Sequence, residues 1–385
     1  MSETRTQIRP EEVLYGESPL VLTATLKPVG DLDRFQPAGF PEVGHVIYKA
    51  PRVKDGSLWE EHVCIVDSAA SMANHLEFVC MRGPHDYELV DELAGMPYVR
   101  CVTGELEGGK LPPEKREVVV TSLTEGHRIA STYFFGNRPR NTMKWDGKGG
   151  QRLRPDGTVS AESFGDELAK EFGIALDGSK KAHPRADKWW NVFSTIFRYD
   201  PNALVHGVLF PQWQIKIPRV LTAHLEAFGA GRVDRSGVKF DRLGKTTSGQ
   251  PIFAVDDATA REIRATFILD LALVRSFGRE NGKGLNDKQK EFVVALALWK
   301  IKRLVERPFR FRSGCHLECV SLKQGSLDVD IDVDIRQAIK QARFTDTPIT
   351  DVYWPREELY REVEEQESAG SAGQDEEGNE DEAEE

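Results

Sequence analysis

Short runs in which apolar and polar residues alternate recur along this chain, and they restrict its fold more than any other feature. Successive side chains of a strand point to opposite faces, so such alternation predicts strands that bury one face only. These runs lie at 19–26, 45–50, 62–67, 97–103, 116–122, 203–210, 218–228, 309–313, 316–322 and 327–335. Helical periodicity occurs at 68–82, 123–135, 160–172, 186–198, 257–277, 286–306 and 335–343. Because the two kinds of run follow each other irregularly, the pattern predicts an α+β fold and not a regular βαβ repeat.

Size and composition are those of a globular protein. The 385 residues are 39% hydrophobic, which is enough for one large or two ordinary domains. No run approaches the roughly 18 apolar residues that cross a membrane, and MSETRTQIRPEE lacks a signal-peptide pattern. The five cysteines include no CxxC pair, which is typical of reduced thiols. We therefore expect a cytoplasmic protein with no membrane partner.

The net charge of −11 arises from the C-terminal segment. Residues 361–385 hold twelve acidic residues and one basic residue, whereas the rest of the chain holds 50 of each kind. A segment this polar cannot bury enough apolar surface to fold, so we predict a disordered acidic tail after a folded part at 1–360. The tail either serves solubility or mimics nucleic acid and so discourages unproductive binding.

Basic residues are concentrated in three runs, which are SKKAHPRADKWW, WKIKRLVERPFRFR and one glycine-rich segment. Between Gly126 and Pro155, seven Lys and Arg residues face a single acid, Asp146, and Trp145 lies among them. Basic side chains interleaved with aromatic rings suit a phosphate backbone with unstacked bases, and a solvated loop is the alternative. The loop predicted over 136–160 is long for a compact domain, and such loops usually serve a function or are disordered.

The stretch VDSAASMANHLEF, residues 66–78, predicts a helix with two different faces. Asp67 or Ser68 can cap its start. The face that packs on a sheet is predicted to contain Ala69, Met72, Ala73, Leu76, Val79 and Cys80. The neighbouring ridge contains Ser71, Asn74, His75 and Phe78. Such side chains can hold a sugar–phosphate backbone, or they can bond to a neighbouring loop.

Two further motifs contain isolated polar residues. Arg128 in EGHR either contacts a ligand or forms an ion pair. His206 lies in a run that resembles a strand, and a lone histidine there is more typical of a core residue than of a ligand.

Two further segments each allow two interpretations. They are the glycine-bearing segment 231–239 and the acidic run 327–335. The first carries Arg232, Arg235 and Lys239, which can approach a polyanion or simply belong to a connection between strands. It does not match a nucleotide-binding loop. The second alternates Asp with aliphatic residues as a half-buried strand does, and it does not match a calcium loop, so no metal site is predicted.

Several stretches together resemble a known family. They are DRFQPAGFPEVGHVIY, VDSAASMANHLE, EGHRIASTYF, YDPNALVHGVLF, RVLTAHLEAFG, RSGVKFD, TFILDLALVRSFG and FRFRSGCHLE. In this order, from about residue 20 to residue 320, they resemble the backbone subunit of the type I-G (formerly I-U) CRISPR effector complex, or Cascade, a member of the RAMP superfamily. The resemblance implies an RRM-like (ferredoxin-like) palm with helical fingers and a thumb-like insertion at about 136–160.

The resemblance implies binding without catalysis and without a cofactor. Copies of the chain would oligomerise along a CRISPR RNA and present it for pairing with target DNA in antiviral defence. The other implied partners are the large subunit and the fused RNA-processing subunit of Cascade, and a recruited helicase-nuclease.

Two alternatives stay open. One is a metal-dependent, RNA-cleaving RAMP subunit of a type III-like complex, for which Asp31, Asp33 and Asp146 are candidates. The other is an α+β metabolic enzyme unrelated to nucleic acid.

The predicted RNA contacts come from the first helix, the EGHR motif, the basic loop and the glycine-bearing segment. They are Ser71, Asn74, His75, Arg128, Arg138, Arg140, Lys144, Trp145, Lys148, Arg152, Arg154, Arg232, Arg235 and Lys239.

Overall fold

Strands and helices occur in mixed order along the chain, so the α+β prediction is confirmed. The computed structural model describes residues 5–40, 44–135, 150–174, 184, 187–233, 257–279 and 282–359. The strands are β1 (Thr6–Ile8), β2 (Leu20–Pro28), β3 (Gly39–Phe40), β4 (Gly44–His45), β5 (Ile47–Lys54), β6 (Ser57–Asp67), β7 (Met81–Gly83), β8 (Asp86–Leu89), β9 (Tyr98–Thr103), β10 (Glu117–Thr121), β11 (Gln151–Leu153), β12 (Val159–Ser163), β13 (Val208–Phe210), β14 (Ile215–Ile217), β15 (Leu221–Phe228), β16 (Gly231–Val233), β17 (Asp257–Thr259), β18 (Glu262–Leu269), β19 (Phe309–Arg312), β20 (Cys315–Gln324), β21 (Leu327–Ile331) and β22 (Ile349–Tyr353). The helices are α1 (Pro10–Val13), α2 (Ala69–Phe78), α3 (Thr132–Phe135), α4 (Phe164–Phe172), α5 (Trp189–Tyr199), α6 (Pro201–His206), α7 (Leu271–Ser276), α8 (Asp287–Val305) and α9 (Ile335–Ala342).

The larger sheet contains nine of the described strands. Its order is β1-β21-β20-β2-β18-β15-β6-β5, and β19 pairs with β20. The β1–β21 pair is parallel and the other pairs are antiparallel. Along β18, buried residues alternate with half-buried ones. This is the pattern of a strand that packs on a core with one face and leaves the other partly open.

Helices cover the closed face of this sheet. The longest is α8, which begins with a capping box in which Asn286 and Gln289 satisfy each other's backbone N–H groups. Apolar residues occupy most sides of α8 and are buried, as expected of a helix enclosed by other elements. It contacts α1, α2, α6, α7 and α9, so α8 lies at the centre of the helical layer.

A smaller sheet has the order β10-β9-β22-β11-β12. Its middle strand β22 comes from the C-terminal part of the described chain and runs parallel to β9. Directly after β22, the fully buried Trp354 donates its Nε1–H to the carbonyl of Tyr133 at 2.6 Å. This contact fastens the C-terminal strand to the segment that precedes the basic loop.

Most predicted elements are found, but five predictions are wrong in part. The helix predicted over 123–135 is helical only in a short 3-10 turn at Arg128–Ala130 and in α3, and the first residues of the helix predicted over 160–172 belong to β12. The helix predicted over 257–277 is mainly the strands β17 and β18, and only α7 within it is helical. The strand predicted over 203–210 begins as the end of α6 and becomes β13. The loop predicted over 136–160 contains β11 and the start of β12, because Gln151–Leu153 pairs with both β12 and β22.

Other predictions concern residues that lie outside the described ones. These are the acidic tail at 361–385, most of the basic loop, and the part of the glycine-bearing segment after Val233. The RRM-like palm, the thumb and the folded part at 1–360 stay predictions. No helix in the described part of the chain is long and apolar enough to cross a membrane.

Candidate nucleic-acid interface

The helix α2 starts where the strand β6 ends, and Ser68 caps it. The Ser68 Oγ accepts a hydrogen bond from the Ser71 N–H at 3.1 Å, as predicted for an N-cap residue. Met72, Ala73 and Leu76 are buried, which confirms the predicted packing face. The predicted polar ridge is therefore turned away from the core.

Two residues of that ridge, Ser71 and His75, are held by Asp67. Ser71 Oγ donates to Asp67 Oδ2 at 3.0 Å, and His75 Nε2 donates to the same oxygen at 2.9 Å. Arg312 approaches the other oxygen, Oδ1, at 2.8 Å and donates to the Val66 carbonyl at 2.7 Å. We call Asp67, Ser71, His75 and Arg312 the Asp67 cluster.

The Asp67 carboxylate is buried yet ionised. Burial opposes its charge, but the hydrogen bond from His75 and the positive charge of Arg312 outweigh this effect and lower the pKa of Asp67. The His75 ring lies edge-on to Phe309 and Phe311, with centroids 5.4 Å and 5.3 Å away. His75 is thus fixed in position from two sides.

The other two ridge residues, Asn74 and Phe78, are exposed, and Phe78 is 43% exposed. Two exposed arginines lie on segments that contact the helix elsewhere. The exposed Arg219 donates to the Ala69 carbonyl at 3.4 Å, and the exposed Arg310 follows Phe309, which contacts His75. We call Asn74 and Phe78 together with these two arginines the α2 ridge. An amide, a ring and two cations of this kind can bind a polynucleotide backbone and stack on a base.

Arg128 is not on this surface. Its guanidinium forms a bidentate ion pair with Glu77, with Nε–Oε1 at 2.7 Å and Nη2–Oε2 at 2.8 Å, and Nη1 donates to the Gly207 carbonyl at 3.3 Å. Both side chains are more than 90% buried. Of the two interpretations that the sequence left open for Arg128, this geometry favours the ion pair.

The pair belongs to a larger buried polar network that joins α2, α6 and α8. Asn202 Nδ2 donates to Glu77 Oε1 at 2.6 Å, and Lys300 donates to Asn202 Oδ1. Lys300 Nζ also lies 3.0 Å from His206 Nε2. We call Glu77, Arg128, Asn202, Lys300 and His206 the Glu77 network.

The protonation of this network is set by burial. Burial, assisted by the charge of Lys300, lowers the pKa of His206 well below its usual value, so the ring is neutral and accepts from Lys300. Burial also lowers the pKa of Lys300. Next to the network, burial and the negative charge of Glu77 raise the pKa of Asp200 to about 7. Asp200 caps α6 through a hydrogen bond from the Ala203 N–H.

A comparison with known protein families identifies the chain. The family model of CRISPR-associated protein GSU0053 matches residues 20–232, which is more than half of the chain. The chain belongs to this CRISPR-associated family. No curated protein matches it.

The matched part of this CRISPR-associated protein includes α2 and most of the Glu77 network. Ser71, Asn74, His75, Glu77, Arg128 and Asn202 all lie within it. Arg312 and Lys300, which complete the two polar groups, lie outside the matched region. The C-terminal part of the CRISPR-associated protein therefore contributes to both.

The other predicted contacts lie on other elements. Arg152 lies on β11, where its guanidinium is over the Tyr199 ring at 5.7 Å and 3.5 Å from Glu167. Arg154 follows β11 and is exposed, and Arg232 is exposed on β16. The structure brings none of these three onto α2. Arg138, Arg140, Lys144, Trp145, Lys148, Arg235 and Lys239 lie outside the described residues.

Sequence reasoning missed Glu77, although a signal for it was present. Glu77 is four residues after the buried Ala73, so a charged side chain falls on the apolar face of the helix. A charge at such a position is buried only when it is paired.

In the described part of the CRISPR-associated protein, no group of three His, Cys, Asp or Glu residues is placed to hold a metal ion.

Proposed function

We propose that this CRISPR-associated protein is the RNA-binding backbone subunit of a type I-G Cascade complex, in the RAMP superfamily. In this function, copies of the chain line up on a CRISPR RNA and present it for pairing with target DNA. Membership of a CRISPR-associated family supports a role in CRISPR defence. The sequence stretches that resemble the type I-G subunit support the subtype.

One observation carries the RNA-binding part of the proposal: the exposed α2 ridge. Asn74 and Phe78 face solvent on α2, and Arg219 contacts the first turn of this helix. Arg310 is exposed on β19, the strand whose Phe309 and Phe311 contact His75. The body of the chain has no net charge, so a polyanion must be bound where cations are locally concentrated. An amide that bonds a phosphate or sugar, a ring that stacks on a base, and two guanidiniums supply such contacts.

Arg128 and Glu77 have a different role in this proposal. They position the EGHR segment against α2 and do not touch RNA, because Nε, Nη1 and Nη2 of Arg128 already donate to protein oxygens. The backbone of Arg128 has a φ of 53°, which is unusual for a residue with a side chain. The ion pair holds this residue in place, and the basic segment begins shortly after it.

The mechanism proposed is retention of the guide with its base edges left free. Backbone contacts fix the register of the strand and carry no sequence information, so base pairing alone selects the target. Cleavage of the target is then carried out by a recruited helicase-nuclease, and the fused RNA-processing subunit supplies the mature guide.

Co-expression with a CRISPR array tests the proposal. We expect the purified protein to carry array-derived RNA, seen as a raised ratio of absorbance at 260 to 280 nm and confirmed by sequencing of the extracted RNA. A triple variant with Asn74→Ala, Arg219→Ala and Arg310→Ala should lose most of this RNA.

A matched triple variant controls for the loss of two cations and one side-chain amide elsewhere. Gln324→Ala, Arg336→Ala and Lys340→Ala change exposed residues of β20 and α9 and should leave the RNA content unchanged. Equal RNA content in the two triple variants would contradict the assignment to α2. Cleavage of complementary RNA in the presence of Mg²⁺, lost on substitution of Asp31, Asp33 or Asp146, would support the RNA-cleaving alternative instead.

A further inference from the structure

Three exposed cations lie close together on α9. Arg336 and Lys340 are four residues apart and so lie on one side of the helix, and Arg343 follows its last turn. None of the three forms an ion pair or a side-chain hydrogen bond with any residue that the structure describes. They extend over about 10 Å of the helix axis at 1.5 Å per residue. We call these three residues the α9 stripe.

The stability of α9 explains only part of this stripe. Cations are favourable at the C-terminal end of a helix, which accounts for Lys340. Arg336 lies in the first turn, where the positive end of the helix dipole disfavours a cation. Arg343 has a φ of 55°, in the left-handed region where helices usually end on glycine. Two of the three cations therefore occupy positions that the helix itself disfavours.

Nearby acidic residues leave the charge of the stripe uncompensated. No Asp or Glu occurs between residues 335 and 345. Of the two acids that precede the helix, Asp332 forms an ion pair with Arg9, and Asp334 caps α9. Asp346 lies beyond the helix and forms no ion pair with a described residue. The stripe is thus a local excess of positive charge.

A pocket that can receive an anion adjoins the end of the stripe. Arg343 lines it together with residues of α5 and the start of α8, and its volume is about 450 Å³. Thr195 in its lining is 6% exposed, and its hydroxyl has no hydrogen-bond partner among the described residues. Glu171, also in the lining, is already paired with Arg198. The pocket therefore offers a guanidinium and a buried hydroxyl as donors to an oxyanion.

The cations of the α9 stripe are less engaged than those of the α2 ridge. Arg219 donates to the Ala69 carbonyl at 3.4 Å, and Arg310 donates to Ser313 Oγ at 2.8 Å. The α9 cations donate to no described group. Left uncovered, such a stripe attracts any polynucleotide without regard to sequence.

The acidic tail, residues 361–385, has the opposite charge and the length to cover the stripe. It contains twelve acidic residues and one basic residue. The described chain ends at Leu359, 16 residues after Arg343, so these two residues are at most about 58 Å apart at 3.6 Å per residue. The 26 residues after Leu359 span up to about 90 Å. Because the tail is tethered to the stripe, a weak attraction is enough to keep it bound.

We propose that the acidic tail docks on the α9 stripe and the adjoining pocket of its own chain and screens these cations from nucleic acid. Carboxylates of the tail occupy the positions that phosphates would otherwise take. RNA held on α2 is not displaced, because the α2 ridge lies on other elements. The inference goes beyond the proposed function, since the contact needs no guide RNA.

Carbodiimide cross-linking of the full chain without RNA tests the contact, because this reagent joins a lysine amine to a carboxylate that lies against it. We expect peptides that join Lys340 to the tail at a yield at least tenfold above that for Lys54 and Lys216, two exposed lysines without an ion pair among the described residues. Equal yields at the three lysines overturn the inference. In a mixture of ¹⁵N-labelled and unlabelled protein, cross-links between two chains would assign the tail to a neighbouring copy and overturn it as well.

Arginine variants keep the reactive lysine and remove its neighbours. Arg336→Ala combined with Arg343→Ala should lower the yield at Lys340 at least threefold. The matched control, Arg5→Ala combined with Arg307→Ala, changes two exposed arginines elsewhere and should leave the yield unchanged. Equal yields in the two double variants overturn the inference, and unfolding curves check that both fold.

Binding of a short, random-sequence single-stranded DNA at low salt tests the screening. A full-length variant in which the twelve tail acids are replaced by their amides should bind this DNA at least fivefold more tightly than wild type. Adding Arg336→Ala, Lys340→Ala and Arg343→Ala should remove the gain. Adding Arg5→Ala, Lys54→Ala and Arg307→Ala instead should not remove it. A gain that persists without the α9 stripe, or no gain at all, overturns the screening.

Discussion

The Asp67 cluster and the Glu77 network both include residues of α2, yet they are built for different purposes. In the Asp67 cluster only the carboxylate is fully buried, and His75 and Arg312 remain 18% and 23% exposed at their side chains. In the Glu77 network every member is more than 90% buried. A ligand can reach the first group without unfolding the chain, whereas the second can only hold elements together.

The difference matters for how the motifs of this family are understood. The stretches SAASMANHLE, EGHR and YDPNALVHG contain residues of both groups. Arg128 was predicted as an RNA contact, but it pairs with Glu77, Asn202 also bonds Glu77, and His206, which was predicted as a core residue, contacts Lys300. Among the ridge residues in these stretches, only Asn74 and Phe78 face solvent on α2. Substitution can separate the two roles, since loss of a buried pair changes stability and loss of an exposed contact changes binding.

The largest effect is expected for Glu77→Ala. This change leaves Arg128 buried without its counter-ion, and breaking a buried ion pair on one side costs about 3–5 kcal/mol of unfolding free energy. Urea unfolding measures this loss of unfolding free energy. Glu60→Ala removes an exposed carboxylate that pairs with Lys49 and should give no measurable change. Arg128→Ala should destabilise in the same manner, so its effect on RNA content cannot be assigned to a lost RNA contact. Equal midpoints for Glu77→Ala and wild type would contradict the structural role of the network.

Asp200→Asn should change how stability depends on pH. The pKa of the folded carboxyl is about 7, and the unfolded one ionises near 3.8. Between these values the folded state holds an extra proton, so this residue destabilises wild type progressively as pH rises from about 4 to about 7. Asparagine keeps an oxygen to cap α6 and does not ionise. The stability of the variant relative to wild type should therefore increase from pH 5 to about pH 7 and then level off, by at most about 3 kcal/mol at 1.36 kcal/mol per unit.

Measuring the difference between the two proteins is necessary because His206 opposes Asp200. Its pKa is lowered, so its contribution increases stability as pH rises toward about 6.5. A difference curve that stays flat from pH 5 to pH 8 would show that Asp200 is already ionised in the folded protein at pH 5.

How far the sequence predicted these features depends on whether their signals are local. The capping of α2 by Ser68, its buried face and the span of α8 follow from residues close together in the chain, and these predictions are confirmed. The helix predicted over 257–277 was wrong in part because the Ala, Leu, Arg and Glu residues of this interval favour helices. Its residues 262–269 form a strand because β2 and β15, from distant parts of the chain, pair with both of its edges.

The polar groups were less predictable than the fold for the same reason. Glu77 and Arg128 are 51 residues apart, and Glu77 and Asn202 are 125 apart. No periodicity joins such positions, so the sequence showed polar residues without showing which of them pair. Arg312 was missed because it lies in a basic run far from Asp67 in the sequence. Only the position of β19 in the sheet brings the Arg312 guanidinium to the Asp67 carboxylate.

Asp67→Asn should have an intermediate effect. Arg312 loses its counter-ion and His75 its acceptor carboxylate, but both can turn toward solvent, so we expect a loss of about 1–3 kcal/mol. The pKa of Asp67 is lowered, so its contribution is present above about pH 4 and is lost as pH falls through the folded value. Stability of wild type and the variant, measured by urea unfolding, should converge at acid pH. Asp332→Asn, at an exposed pair with Arg9, is the control and should show no such convergence.

The smallest effect is expected for Asn74→Ala, and it should be seen in binding only. Asn74 is exposed, so its side chain contributes little to the packing of α2 and the unfolding midpoint should not change. One lost hydrogen bond to the RNA backbone costs about 1 kcal/mol, or roughly fivefold in affinity for a single copy. Fluorescence anisotropy with a short labelled RNA that holds one copy measures this value without the amplification of a row. Gln324→Ala removes an exposed amide on β20 and should bind as wild type does. An unchanged affinity for Asn74→Ala, together with a reduced affinity for Glu77→Ala at full folding, would reverse the roles assigned to the exposed ridge and the buried network.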